Sequence, residues 1–158
     1  MPSPLGRLLV VSSSAGLVAL DFDEPELRLL PLLRLRFGQL RLHPGRTYSP
    51  AVHAYFDGVF EPLAQAPIDP GGTPFQGRVW SALRQIPPGQ TRSYGQLAAQ
   101  LGKPEAARAV GLANALNPLN LAIPCHRLVG ARGQLTGYAG GLHRKAWLLD
   151  HEARAQDW

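Results

Sequence analysis

The sequence Ile123-Pro124-Cys125-His126-Arg127 places the chain's one cysteine between a proline and two side chains that carry or can accept a positive charge. The apolar run at 119–123 predicts a short buried strand, with one turn before it at Asn117-Pro118 and another behind it at 130–133. The proline restricts the backbone just ahead of the thiol, so the direction of the thiol is set locally. We expect the end of this strand to be a rigid platform for a reactive group.

Cys125 has two interpretations. A lone cysteine is most often buried and inert, and it packs as a small hydrophobe. A reactive cysteine needs cations or a base nearby to lower its pKa from the reference value of about 8.5. His126 and Arg127 are costly to bury in an apolar stretch without partners, so their position directly after the thiol favours a reactive site.

The composition limits the class of protein. A chain of 158 residues with 45% hydrophobic content is long enough to bury a core, in one domain or in two small ones. One cysteine excludes an intramolecular disulfide and a cysteine-rich zinc cluster, which is typical of a reducing compartment. We find no segment typical of a membrane span or a secretory signal. We therefore expect a soluble, cytoplasmic protein with no membrane partner, metal or cofactor.

The net charge of +5 is distributed unevenly. Residues 1–70 carry six Arg against seven acidic residues, whereas residues 71–158 carry ten basic residues against four acidic ones. A basic second part suits a polyanion such as nucleic acid, although surplus charge also serves solubility. Fourteen of the sixteen basic residues are arginine, which fits phosphate recognition or, equally, the composition of the genome.

The first part of the chain predicts a small α/β unit. Two apolar runs, at 7–12 and 16–22, predict a hairpin joined by a short polar connection. The Leu- and Arg-rich stretch at 27–42 fits a strand by its alternation, with a helix as the alternative. Ser49 followed by proline is typical of a helix start, with the serine as N-cap. Prolines and glycines at 62–73 then indicate a linker.

The second part predicts mainly helices. Thr73 caps an amphipathic helix that extends to Ile86, and Ser93 with Gln96 forms a capping-box pattern for the next helix. A third helix is predicted from Pro104 to about Leu116, so that two short helices are joined as in a helix-turn-helix. We therefore divide the chain into a supporting domain at 1–70 and a helical domain at 71–158 that carries Cys125.

The third helix has an unusually smooth surface, with Arg108 as its one long cationic side chain. Its alanines and glycine permit tight packing against a neighbouring helix. They also permit a close approach to a groove of DNA, and from general principles we expect the major groove. After Cys125, the loop at 137–141 is rich in glycine, and a closing helix is predicted from Leu142 to Glu152. Glu152 is either a solvated carboxylate or, if it is buried, a partner that orients His126.

Taken together, these segments strongly resemble the O6-alkylguanine-DNA alkyltransferases. The resemblance is ordered over residues 73–152, and residues 1–70 match only loosely. It is carried by the following motifs: Pro124-Cys125-His126-Arg127, Ser93-Tyr94, Ala106-Ala107-Arg108-Ala109-Val110-Gly111, Asn117-Pro118, Gly137-Tyr138-Ala139-Gly140-Gly141, and Trp147-Leu148-Leu149 with His151-Glu152.

The resemblance implies an α/β (α+β) fold, with a small ribonuclease H-like sheet domain followed by a helix-turn-helix domain. It implies repair of double-stranded DNA by irreversible, single-turnover transfer of a methyl or larger alkyl group from O6 of guanine, with O4 of thymine as a further candidate target. The target base is flipped out of the duplex, and Arg108 fills the space that it leaves. In this family the helix enters the minor groove, which overrides our major-groove expectation, with Ala107, Gly111 and Tyr94 also facing the DNA.

For the chemistry, the resemblance implies that Cys125 attacks the alkyl carbon while His126, through a water and oriented by Glu152, removes the thiol proton. A water bridge also fits our expectation that adjacent residues of a strand point to opposite faces. Tyr94 assists the leaving base and Asn117 ties the turn to the active-site strand. The pocket is lined by Tyr138, Ala139 and Gly140, and position 139 is Ala where some members carry Ser.

Further expectations concern partners and alternatives. We expect a monomer without the structural zinc of some relatives. One alternative is a helix-turn-helix protein that binds damaged DNA and in which Cys125 performs no transfer. Another is a cysteine hydrolase that uses Cys125 and His126, turns over an ester or amide, and has no need of Arg108.

Overall fold

The structure of the protein, a computed structural model, describes residues 1–24 and 28–156. It begins with the predicted hairpin, in which β1 (Leu8–Ser13) and β2 (Gly16–Phe22) pair antiparallel. The other edge of β2 forms bridges to Ile68 and Leu119, so β2 is buried along its whole length. The hairpin therefore contacts the segment that leads to Cys125.

The ambiguous stretch at 27–42 forms a helix rather than a strand, although residue 27 lies outside the described residues. The helices of the first part are α1 (Leu29–Phe37), α2 (Ser49–Phe56) and α3 (Glu61–Ala64). The prediction of Ser49 as an N-cap is wrong, because Tyr48 occupies that position and no side chain caps the helix. The Ser49 N–H is already bonded to the Arg46 carbonyl in the preceding turn.

The helices of the second part follow the sequence pattern closely. The predicted capping box of Ser93 with Gln96 is present, and the predicted cap Thr73 forms a second capping box with Gln76. The elements are α4 (Pro74–Arg84), β3 (Arg92–Ser93), α5 (Tyr94–Gln100), a 3-10 turn (Pro104–Ala106), α6 (Ala107–Ala115), β4 (Leu128–Val129) and α7 (Leu142–Ala155). β3 and β4 pair in parallel. Helices α5 and α6 are the two members of the helix-turn-helix pattern.

The predicted strand before Cys125 is wrong. Residues 119–123 form a series of tight turns that contact β2 through one bridge, at Leu119, and Cys125–Arg127 is a 3-10 turn. The backbone bonds locally, as in the bonds from the Ala122 N–H to the Asn120 carbonyl and from the Cys125 N–H to the Ile123 carbonyl. Leu121 takes a positive φ of 70°. Successive side chains at 125–127 therefore point in directions about a third of a turn apart, and not to opposite faces of a strand.

One continuous core joins both parts of the chain. Its buried members include Leu20 of β2, Tyr55 of α2, Val79 of α4 and Leu148 of α7. A second, smaller cluster packs α1 against β2. Among the described residues, no helix is both long and apolar enough to cross a membrane.

Candidate active site around Cys125

Cys125 is the first residue of its 3-10 turn and is only 2% exposed. Its Sγ donates to Oδ1 of Asn120 at 3.3 Å. Burial raises the pKa of the Cys125 thiol, while the amide of Asn117 and the positive charges of Arg28 and Lys145 act in the opposite direction. The free protein therefore holds a protonated thiol that is surrounded by groups able to stabilise a thiolate.

A second cluster surrounds the fully buried Glu152 of α7, which is bonded to the next two residues of the turn, His126 and Arg127. Its Oε1 accepts hydrogen bonds from His126 Nε2, Tyr55 Oη and Arg127 Nη2, each at 2.7 Å. Its Oε2 accepts a hydrogen bond from Arg127 Nε at 2.9 Å, so that the Arg127 guanidinium binds the carboxylate in a bidentate manner. Arg127 also donates to the Ile86 carbonyl at 2.6 Å. Three elements distant in sequence thus meet at one carboxylate.

The cluster defines the protonation state of His126. Burial alone would raise the pKa of Glu152, but His126 and Arg127 hold that pKa well below its usual range, so Glu152 is ionised. An ionised carboxylate only accepts hydrogen bonds, so the ring proton of His126 must be on Nε2. Burial lowers the pKa of His126 against the opposing effect of Glu152, and the imidazole is neutral. Its Nδ1 is buried without a partner among the described residues and is free to accept a proton.

Asn117 ties the turn before the thiol. Its Nδ2 donates to the Ile123 carbonyl at 2.8 Å, and its Oδ1 accepts from the Leu119 N–H at 2.9 Å. The residue is fully buried. Through these two bonds, the Asn117 amide is the partner of one backbone group on each side of the turn. The backbone therefore does not need the hydrogen bonds of the strand that the apolar run predicted.

The glycine-rich loop at 137–141 approaches the site at Tyr138, whose pKa is affected by Cys125. Lys145 of α7 is buried and donates to the carbonyls of Leu128, Thr136 and Gly137, at 2.6, 2.7 and 3.3 Å. Tyr94 reaches the same loop, and its hydroxyl donates to the Thr136 carbonyl at 3.2 Å. One buried ammonium and one phenol thus fix the start of the loop.

Within that loop, Tyr138 has a buried hydroxyl with no partner among the described residues, and its pKa is raised by burial and by Cys125 and Asp21. Ala139 is exposed, whereas Gly140 is buried. A Cβ on Gly140 would lie 2.7 Å from the ring of Phe22 and 2.9 Å from that of Tyr138, so this position requires glycine. The loop thus contacts the hairpin directly.

Helix α6 presents a separate surface. Arg108 is exposed, Ala107 is half-buried, and Leu112 is 62% exposed on the outer side. Val110 and Ala113 pack inward, so the small residues of this helix serve packing on one side and a smooth surface on the other. A Cβ on Gly111 would be 3.7 Å from the ring of Tyr94, which places that tyrosine beside the helix.

The sequence-predicted residues therefore lie in three groups: Cys125, His126, Glu152 and Asn117 around the turn, Tyr94 with Tyr138, Ala139 and Gly140 at the loop, and Arg108 with Ala107 and Gly111 on α6. Sequence reasoning missed four polar residues that complete the site: Tyr55, Asn120, Asp21 and Lys145. Asn120 carried a signal, since it is a polar residue inside an apolar run. The others are distant in sequence and carried none.

Comparison with known proteins gives consistent matches. A family model described as 6-O-methylguanine DNA methyltransferase, DNA binding domain, matches residues 74–154. A methylated-DNA–protein-cysteine methyltransferase from Shigella flexneri is 46% identical over 157 residues, which cover 95% of this chain and 91% of the relative. Another from Mycolicibacterium paratuberculosis is 45% identical over 150 residues, which cover 91% of this chain and 90% of the relative.

Solved structures agree. The crystal structure of a Mycobacterium tuberculosis O6-methylguanine methyltransferase has a TM-score of 0.82 and 41% identity, and the match covers 98% of this chain and 91% of that one. A second structure from that organism, in complex with DNA, has a TM-score of 0.83 with the same identity and coverage.

Proposed function

The chain belongs to the methylated-DNA–protein-cysteine methyltransferase family, and from that premise we propose that it repairs DNA by accepting a methyl or larger alkyl group from O6 of guanine on Cys125. The reaction is a direct, irreversible transfer. It needs no cofactor, because the acceptor is the protein's own thiol.

One observation carries this proposal: the residue after the only cysteine is a neutral imidazole whose Nε2 is held by an ionised carboxylate and whose Nδ1 has no partner within residues 1–24 and 28–156. This is the arrangement of nucleophile, base and orienting group that activates weak nucleophiles. His126 and Glu152 fill the last two roles. Arg127 and Tyr55 position Glu152 and do not touch the reacting atoms.

In the proposed step, His126 Nδ1 takes the thiol proton through a water molecule. The thiolate then attacks the alkyl carbon in line with the O6 atom. A sulfur–carbon bond forms and the carbon–oxygen bond breaks, and its electron pair remains on the guanine. The guanine takes up one proton and His126 gives up the proton that it took from the thiol, so the repaired guanine, the thioether and the imidazole are all neutral. The thioether is a stable product, so each molecule acts once.

The leaving base is stabilised by the loop region in this proposal. The Tyr94 hydroxyl donates a hydrogen bond as negative charge develops on the guanine. Tyr138, Ala139 and Gly140 line the pocket, and with Ala at 139 a contact to O6 there comes from the backbone. Because Cys125 is only 2% exposed, base entry requires groups around the thiol to move.

DNA is bound by the helix-turn-helix in this proposal. Helix α6 enters the minor groove with its smooth outer side, and Arg108 occupies the space of the flipped nucleotide. The ten basic residues at 71–158 provide attraction to phosphate that is independent of sequence. Repair has to tolerate any sequence, which suits backbone contacts over base reading.

We also propose that the protein works as a monomer in the cytoplasm on double-stranded DNA. We assign a supporting role to residues 1–70. We assign DNA binding and alkyl acceptance to residues 71–158. The support comes from the positions of Cys125, Arg108 and the basic surplus, all of which lie after residue 70.

The test is the intact mass of the protein after incubation with an oligonucleotide carrying one O6-methylguanine, followed by peptide mapping. We expect one added methyl group on Cys125, never more than one per chain, and none in Cys125→Ser. An unchanged mass with the damaged DNA still bound would replace the proposal with a lesion-binding protein. Turnover of an ester or amide substrate without added mass would indicate a hydrolase.

A further inference from the structure

Asp21 is a buried acidic residue that the proposed mechanism does not use. It lies near the end of β2 and is 7% exposed. Its Oδ1 accepts from Asn120 Nδ2 at 2.5 Å and from the Phe22 N–H at 2.9 Å. Its Oδ2 forms an ion pair with Arg28 at 2.9 Å. Asn120 in turn is the residue that accepts the hydrogen bond from Cys125. An unbroken polar chain therefore runs from the hairpin to the thiol.

The carboxylate decides which way the Asn120 amide points. An Asn side chain has a donating nitrogen and an accepting oxygen of similar shape, so either can face a given neighbour. Asp21 is paired with Arg28, and an ionised carboxylate only accepts hydrogen bonds. The NH₂ group of Asn120 must therefore face Asp21, which leaves its oxygen facing Cys125 Sγ. An amide oxygen satisfies a thiol proton and repels a thiolate.

We propose that Asp21 is a positioning residue for the acceptor site: by fixing the Asn120 oxygen toward Cys125, it holds the thiol in its protonated form in the free protein. This inference rests on the proposed role of Cys125 as alkyl acceptor. It assigns the first part of the chain a chemical task, because β2 provides the group that orients an amide 99 positions later in the sequence.

Arg28 and Lys145 also act on the thiol, and further charged or titratable groups lie around the turn, so the test must separate their effects from that of the Asn120 amide. Arg28 stands beside Asp21 and donates to the Asn117 carbonyl at 2.7 Å. The remaining groups come from the elements packed around the turn: Tyr138 of the loop, Lys145 and Glu152 of α7, Tyr55 of α2, and His126 and Arg127 of the turn itself. None of these is changed by the variants below.

The first variant is Asp21→Asn, and the measurement is a pH titration followed by NMR of isotope-labelled cysteine. The chain has one cysteine, so one β-carbon signal reports the thiol without any reagent having to reach it. The amide introduced at position 21 offers either an oxygen or an NH₂ group, so Asn120 is free to rotate and to donate to sulfur. We expect the midpoint to fall by about one pH unit, which is about tenfold more thiolate below the midpoint. Asp23→Asn is the matched control, because Asp23 is exposed, lies two residues along the chain, and loses the same charge. The titration midpoint of Cys125 should not change in this control.

The second variant, Asn120→Ala, removes the accepting oxygen and keeps the buried pair of Asp21 and Arg28. It should also lower the midpoint. If Asp21→Asn lowers the midpoint of Cys125 and Asn120→Ala does not, the charge of Asp21 acts on the thiol without Asn120, and the inference is overturned. Unchanged midpoints in both variants overturn it as well, and if Asp21→Asn does not fold, Asn120→Ala decides. Methyl transfer measured by intact mass is a separate readout, so failure of the proposed function is distinguishable from failure of this inference.

Discussion

Replacing Glu152 by glutamine removes the carboxylate that accepts hydrogen bonds from three residues of the site. The carboxylate accepts four hydrogen bonds, two from Arg127 and one each from Tyr55 and His126. Glutamine has nearly the same shape but only one accepting oxygen. In either orientation its NH₂ group faces at least one donor, and the buried charge of Arg127 loses its counter-ion.

The size of the effect follows from these losses. Removing one member of a buried ion pair costs about 3–5 kcal/mol, because the other charge stays buried without compensation. We expect Glu152→Gln to lower the free energy of unfolding by that amount at neutral pH. A protein of this size has only about 5–15 kcal/mol in total, so the variant is severely destabilised.

The same site predicts how the effect depends on pH. Although burial alone would raise the pKa of Glu152, contacts with His126 and Arg127 hold that pKa below its usual range. Its stabilising contribution is therefore complete above the unfolded value of about 4.3 and is lost as the pH falls through the lower folded value. The difference in unfolding free energy between wild type and variant should be constant above about pH 4.3 and should narrow below it.

Urea unfolding followed by tryptophan fluorescence, at several pH values, measures both effects. Asp150→Asn is the matched control, because Asp150 lies on the same helix with an exposed pairing to Arg154 and should change stability by less than about 1 kcal/mol. If Glu152→Gln lowers the free energy of unfolding by no more than Asp150→Asn does, the reasoning is refuted. A difference that stays constant down to strongly acidic pH would show that the carboxylate is not held ionised by its neighbours.

Two further predictions concern helix α6 and the loop at 137–141. Arg108→Ala should reduce methyl transfer from duplex DNA far more than transfer from free O6-methylguanine, because only the duplex requires base flipping; equal losses in the two assays contradict the assignment. Gly140→Ala should lower the free energy of unfolding by about 1–3 kcal/mol, because the added methyl group would lie 2.7 Å from the ring of Phe22. Gly111→Ala, where the nearest atom is at 3.7 Å, is the control and should be tolerated in the same urea experiment.

Features set by neighbouring residues were predictable from the sequence. The two capping boxes at Thr73 and Ser93 depend on residues three positions apart, and both are present. The hairpin follows from short apolar runs and a polar connection. The stretch at 27–42 was ambiguous because its alternation competes with helix propensity, and burial of Leu29 and Leu33 against β2 favours the helix.

Features set by distant contacts were not predictable. The apolar run before Cys125 looks like a strand, but Asn117 bonds to groups on both sides of the turn and replaces the ladder. No local pattern shows that Asp21 will meet Asn120 or that Tyr55 will meet Glu152. The resemblance to the alkyltransferases identified Cys125, His126 and Glu152 as a group, and the roles of these residues stay predictions until the experiments above are done.

The convergence of distant residues on Glu152 has a consequence for the order in which the molecule is made. Tyr55 precedes Glu152 by 97 positions, and His126 precedes it by 26. Synthesis proceeds from the N-terminus, so the hairpin, Tyr55 and Cys125 all leave the ribosome before the carboxylate that orients His126. Until α7 has packed, a nascent chain carries the thiol without the carboxylate that binds His126. Under the proposed function, repair therefore requires α7 to have packed against the turn that carries Cys125.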